Sequence, residues 1–213
     1  MRRPFPDPLP DGTRELGQHE SGRVWLARLP GLLDEVVERW QRSIGDAFPD
    51  ASASLTLAAT RADGERVALK LQYPHREAEH EAAALAQWDG NGAVRLLAHD
   101  PDRHALLLEL CEPGTPLFEL EQDAALEVFS GLLPRLWQPS DRAFTSLADE
   151  AAHWAATLPD IWERAGRPFE RDLLAAALEA IDELTSTQGE EVLLHQDLHT
   201  GNVLSAPLAN RGS

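Results

Sequence analysis

Among its 213 residues the sequence has a single cysteine, Cys111, and a single tyrosine, Tyr73. One cysteine excludes an internal disulfide and fits a reducing compartment. No apolar run approaches the roughly 20 residues that cross a bilayer, so no membrane segment is expected. Residues 1–13 hold two arginines, four prolines and two aspartates but lack the apolar core of a secretory signal. The expected location is therefore the cytoplasm. Basic residues are scarce, 19 Lys and Arg against 36 Asp and Glu, for a net charge of −17. Binding a phosphate backbone needs basic clusters, so nucleic acid is excluded as a partner. The same charge suits a cationic small molecule, which an acidic cleft would concentrate. Acidity also serves solubility alone, and that is the commoner reason for it.

What is present describes a globular protein: 43% hydrophobic and 26% charged residues, in a length sufficient for one domain or two small ones. Leu29, Leu32, Leu33, Val36, Val37, Trp40 and Ile44 recur at helical spacing, predicting one or two helices over 22–44 with a break or restart at Pro30-Gly31. Two strand-like runs follow, Ser54 to Thr60 and Arg66 to Tyr73, joined by Ala62-Asp63-Gly64 as a hairpin. A short helix is expected from His75 to Trp88. A second hairpin follows, Val94 to Ala98 and Ala105 to Cys111, around Asp100-Pro101-Asp102. Glu112-Pro113-Gly114-Thr115-Pro116 interrupts every periodicity and reads as a linker. Beyond it the pattern is helical over 119–137, 146–165 and 169–187, the second opening on a capping box of Ser146 and Asp149. The fold class is thus α+β, with a strand-rich part over 1–111, a linker over 112–116 and a helical part over 117–213. A cleft between two such parts is a common ligand site.

Chemistry concentrates in His195-Gln196-Asp197-Leu198-His199-Thr200-Gly201-Asn202. Phosphoryl transfer to a hydroxyl needs a carboxylate to position the nucleophile and take its proton, and groups that hold Mg²⁺ against phosphates. Protein kinases place an Asp and, five residues later, an Asn on one loop, the spacing of Asp197 and Asn202. Glu191-Val192-Leu193-Leu194 is expected to seat the loop on a short buried strand, and Val203-Leu204 to anchor its far end. Gly201 would permit a tight turn before the Asn. A polar turn after a core strand would explain any single residue here, but not the whole string. A metal site of His195, Asp197 and His199 competes, yet nothing nearby supplies further ligands.

A kinase loop calls for a lysine on an earlier strand and a glutamate on the next helix. Val67-Ala68-Leu69-Lys70 matches that pattern. Glu81 falls within the stripe of Ala78, Leu85 and Trp88, where an unpaired carboxylate is costly. Glu81 is the expected partner of Lys70, with Glu77 in reserve. Singly, each is an ordinary surface residue; their order and spacing carry the reading.

On these residues the sequence resembles the aminoglycoside phosphotransferases, in particular the branch of streptomycin and hydroxyurea resistance kinases. The resemblance rests on His195 to Leu204, Val67-Ala68-Leu69-Lys70, His80-Glu81-Ala82-Ala83-Ala84-Leu85 and, as a hinge, Leu106 to Thr115; it runs from about Gly17 onward. It implies a protein-kinase-like two-lobe fold with ATP and Mg²⁺ as cofactors and a small-molecule acceptor. It also implies Asp197 as catalytic base, Asn202 as a Mg²⁺ ligand, Lys70 oriented by Glu81 on the phosphates, and backbone groups from Glu109 through Cys111 to Glu112 receiving adenine. Streptomycin-like aminoglycosides are the first candidate acceptors. Hydroxyurea, choline, homoserine and sugar-amine kinases share much of the loop, and Asp149, Glu150 and Asp160 are candidate lining for a cationic pocket, though solvated helix faces explain them more simply.

The sequence departs from the kinase pattern in two places. No Gly-x-Gly-x-x-Gly precedes Lys70; Pro49-Asp50-Ala51-Ser52-Ala53-Ser54 stands there, with Ser52 and Ser54 as candidate phosphate contacts. No acid follows Asp197, whereas such kinases bridge their metal ions with a further Asp, and the helices of an acceptor wall are missing too. The chain reads as a truncated kinase with apolar surface left exposed, and a catalytically impaired, nucleotide-binding remnant is the alternative expectation.

Overall fold

The structure is a computed structural model describing residues 5–49, 51–139 and 144–206. Asp50, the side chain of Glu77 and residues 207–213 lie outside the described residues. The chain forms two compact units, Met1–Leu136 with His195–Ser213, and Trp137–Leu194.

The first unit is mixed α and β. A short helix α1 (Asp11–Glu15) precedes α2 (Glu20–Trp40), β1 (Ser43–Ala47), β2 (Ser54–Thr60), β3 (Arg66–Gln72), α3 (Glu81–Trp88), β4 (Leu96–Asp100), β5 (Ala105–Glu109) and α4 (Gln122–Leu136). The five strands form one sheet in the order β1-β2-β3-β5-β4, every neighbouring pair antiparallel. In β3, Val67, Leu69 and Leu71 join Leu55, Leu57, Leu107 and the α2 residues Leu29, Leu33 and Val36 in one core. The two-residue period of a strand therefore sends Ala68, Lys70 and Gln72 to the opposite face. This alternation places the lysine off the core.

Three sequence expectations are corrected here. Pro30 does not break α2, which runs continuously through it. A helix-interior proline costs about 3 kcal/mol, and Pro30 is exposed. Burial of Leu29, Leu33 and Val36 outweighs the loss, at about 1.5–3 kcal/mol for each large side chain. Ile44 is not helical: Gln41 closes α2 in the left-handed region, with φ of 51°, and Ile44 pairs with Ala59 in the sheet. The helix expected from His75 is a 3₁₀ turn at Arg76–Ala78 followed by α3, which begins only at Glu81.

A buried carboxylate ties α2 to the far edge of the sheet. Asp100, 3% exposed, meets Arg39 of α2 at 3.2 Å and Arg103 at 3.2 Å, and Arg103 reaches back to Glu35 at 2.8 Å. Two guanidinium partners satisfy a charge that would be costly to bury alone.

The second unit holds α5 (Leu147–Arg164) and α6 (Arg171–Ser186). The Ser146–Asp149 capping box forms as expected: the Asp149 amide donates to the Ser146 hydroxyl at 3.0 Å and the box is reciprocal. Asp149 is thereby engaged in the cap, and Asp160 lies exposed on α5. The strand expected at 191–194 does not form. Leu193 is buried, and its amide donates to the Gln138 carbonyl at 2.8 Å, but among the described residues 191–194 join no strand. Among the described residues no helix is long and apolar enough to cross a membrane.

Candidate active site

Every residue singled out for the reaction falls in the first unit. Lys70 lies on the central strand β3, flanked by Thr56 of β2 and Leu106 of β5. Its ammonium donates to both oxygens of Glu81, at 2.8 and 2.9 Å. Glu81 occupies the first turn of α3, where a carboxylate also meets the positive end of the helix dipole. The pair is partly buried, with the side chains 26% and 28% exposed, so its attraction is less screened than at an open surface.

A third member was not anticipated. Gln72 Nε2 donates to Glu81 Oε2 at 2.7 Å, and Gln72 is 4% exposed. It stands two residues beyond Lys70 on the same strand face, so the period of β3 brings both donors to one carboxylate. A buried polar residue at that offset was the available signal.

The loop has its own internal bonding. Asn202 Nδ2 donates to the Asp197 carbonyl at 2.8 Å and to Asp197 Oδ2 at 2.9 Å. This fixes the Asp197 carboxylate, which is 77% exposed. The Asp197 amide donates to the His195 carbonyl at 2.8 Å and the Asn202 amide to the His199 carbonyl at 2.9 Å. The loop's left-handed residue is Gln196, with φ of 65°, not Gly201. Gly201 leaves room for a neighbour instead: a Cβ there would come within 2.8 Å of the His199 ring, which would have to shift. The Gly201 amide donates to His199 Nδ1 at 3.1 Å, which leaves the ring's proton on Nε2, 3.8 Å from Asp197 Oδ2.

Both ends of the loop are anchored. On one side His195 stacks on Trp88 with centroids 6.0 Å apart and planes 19° apart; the Trp88 indole donates to the Leu136 carbonyl at 2.9 Å. The last residue of α3 thus links the helix bearing Glu81 to the loop bearing Asp197. On the other side Leu204 bridges Pro116, the Leu117 amide donates to the Val203 carbonyl at 2.9 Å, and Ser205 bonds with Gly114 and Thr115. The linker and the segment after the loop are stitched together, a pairing no local pattern announces.

His195 is pushed below the usual 6.5, first by burial; Lys70 and His199 add to the depression, while Asp197 and Glu81 oppose it. Its Nδ1 is buried without a partner, which a neutral ring tolerates better than a charged one. A base with a depressed folded value takes its proton more readily in the unfolded chain. His195 therefore contributes stability that is fully present above 6.5 and lost as the pH falls through the lower folded value. His195→Phe keeps the stacking and removes the titration, so its melting temperature should fall less steeply on acidification than that of the wild type. Parallel curves would overturn this.

The remaining nucleotide-site candidates are dispersed over the same unit, while Asp149, Glu150 and Asp160 belong to the second. Ser52 and Ser54 shape the turn before β2, where the Ser54 hydroxyl donates to the Ser52 carbonyl at 3.2 Å; Ser54 itself is buried. Glu109 ends β5, accepting from the Arg95 amide at 3.1 Å. Cys111 follows, its thiol pushed up by burial and then by Glu109. Among the described residues no three His, Cys, Asp or Glu side chains group to hold a metal ion. His195, Asp197 and His199 are therefore not grouped as a metal site. Oxygen ligands are a different matter. Asn202 Oδ1 and the Asp197 carboxylate offer the few hard oxygens that Mg²⁺ takes from a protein when phosphates and waters supply the rest.

Residues 39–211 match the family described as aminoglycoside/hydroxyurea antibiotic resistance kinase. The chain is 39% identical over 205 residues to a streptomycin 6-kinase of Streptomyces glaucescens and 36% identical over 203 residues to one of Streptomyces griseus. These alignments cover 95% and 93% of this chain and 66% of each relative. It is 38% identical over 189 residues to a hydroxyurea phosphotransferase of Kitasatospora aureofaciens, covering 87% of this chain and 55% of that protein. The chain thus spans just under two thirds of the length of the two streptomycin kinases. With its match to the family over residues 39–211, the chain belongs to the aminoglycoside/hydroxyurea antibiotic resistance kinases.

Proposed function

We propose that the chain serves an ATP-dependent kinase that transfers the γ-phosphate to a hydroxyl of a small-molecule antibiotic in the cytoplasm, with a streptomycin-like aminoglycoside as the first candidate acceptor. The observation that carries this reading is the pairing of Lys70 with Glu81 in the same compact unit as the Asp197–Asn202 pair. Lys70 binds the nucleotide phosphates, held in place by Glu81 and Gln72. Asp197 accepts the proton of the attacking hydroxyl, its carboxylate oriented by Asn202. Backbone groups between Glu109 and Glu112 receive the adenine, and the turn with Ser52 and Ser54 covers the phosphates. Asn202, with the Asp197 carboxylate near it, would hold Mg²⁺, which when bound supplies charge neutralisation on the phosphates. In this reading the fold is protein-kinase-like: a nucleotide lobe over 1–111, a hinge at 112–116 and a helical lobe over 117–213.

Hydroxyurea is a second candidate acceptor, favoured by the 38% identity to a hydroxyurea phosphotransferase. The two differ in charge, and a chain of net charge −17 attracts a cation over a distance that salt shortens. The test is ADP formation with ATP and Mg²⁺ in the presence of streptomycin, hydroxyurea or neither. Acceptor-dependent ADP is expected with streptomycin, with a KM that rises with ionic strength. ADP formation no faster with either acceptor than without one would overturn the proposal.

A further inference from the structure

The turn before β2 lacks the glycines that usually let backbone lie close over phosphates, and yet Ala53 is in the left-handed region, with φ of 48°. A non-glycine residue in that region carries strain and persists only where its surroundings hold it. On one side the hold comes from β3: the Tyr73 amide donates to the Ala53 carbonyl at 3.0 Å. On the other it comes from α1, some forty residues earlier. Thr13 is fully buried, and its hydroxyl donates to the Ser54 carbonyl at 2.6 Å. Gly12 lies so close behind the turn that a Cβ would sit 2.7 Å from the Ala51 carbonyl oxygen and 3.1 Å from the Ser52 Cα. The helix is not a loose end, because Phe5, Leu9 and Leu16 around it pack on the core of α2 and the sheet.

We propose that Gly12 and Thr13 are positioning residues of the nucleotide site, gripping the Ala51–Ser54 turn from behind and giving it the definition that glycines supply elsewhere. The inference rests on reading that turn as the cover of the phosphates. A helix that merely completes the core would affect stability alone. A helix that sets the turn affects nucleotide affinity and itself responds to nucleotide.

The experiment measures ATP affinity by calorimetry on the full chain, with amide hydrogen exchange in parallel. Thr13→Val keeps the shape and deletes the hydroxyl; it should weaken ATP binding about tenfold, the worth of one buried hydrogen bond. Thr13→Ser restores the hydroxyl and should restore the affinity. In the wild type, adding ATP should slow exchange in residues 11–15 together with 51–54, a readout that holds even if Thr13→Val fails to fold. Equal ATP affinity in folded Thr13→Val and wild type would overturn the inference while leaving the kinase reading intact, as would protection confined to 51–54. A wild type that binds no ATP would instead remove the kinase reading itself, and this inference with it.

Discussion

Asp197→Ala is expected to lower acceptor-dependent ADP formation by about 10²–10⁴-fold, the usual contribution of a positioned general base. The rest of the molecule should hardly notice. The Asp197 side chain is 77% exposed, and the longer-range ties of the loop run through other groups: the Trp88–His195 stack and the backbone pairing of Val203, Leu204 and Ser205 with 114–117. Asn202 keeps its bond to the backbone carbonyl at position 197 when the carboxylate is gone. The melting temperature and the ATP dissociation constant should therefore stay near wild type while turnover is lost. Asp197→Asn sharpens the test, since it keeps the shape and removes the base. Turnover retained by both variants would exclude Asp197 as the base, whereas loss of stability in step with turnover would show a structural role instead.

The second large effect is expected at Lys70. Lys70→Ala should weaken ATP binding by about 10–100-fold, corresponding to the roughly 1.5–3 kcal/mol of a charge-assisted hydrogen bond to phosphate. Glu81→Ala should weaken it less, because the ammonium remains but loses the carboxylate that fixes it at 2.8 Å. The double variant should be no worse than Lys70→Ala alone: with the lysine gone, its partner has nothing to orient. A double-mutant cycle on ATP affinity measures this coupling directly. Strictly additive losses would mean that Lys70 and Glu81 act separately. Melting temperatures measured alongside separate affinity from folding, since Lys70→Ala leaves Glu81 with Gln72 as its remaining side-chain donor.

The ordering of the site explains why these two effects are separable. Lys70 is held by the sheet and α3, Asp197 by its own loop. Trp88, which ends α3 and stacks on the first residue of that loop, lies between them. The helix thus carries a carboxylate at its first residue and a ring stack at its last.

By itself the sequence determined what depends on neighbours along the chain. Asp63-Gly64 between two strand-like runs located the hairpin of β2 and β3, Ser146 and Asp149 announced their capping box, and the eight-residue string from His195 to Asn202 announced a loop whose Asp and Asn do bond to each other. Even the pairing of Lys70 with Glu81 was legible, because a glutamate on an apolar helix face needs a cation and the strand before it supplied one. Tertiary structure decided the rest, wherever distant segments compete with a local preference. Burial of one helix face carried α2 through Pro30, and pairing with Ala59 drew Ile44 into the sheet. Gln72 reached Glu81 only because β3 and α3 pack together, and Gly201 lies close under the neighbouring His199 ring without needing left-handed dihedral angles. Thr13 and the Ala51–Ser54 turn show the limit most clearly: their contact spans some forty residues, a separation over which no periodicity or spacing survives, so only the folded chain brings them together.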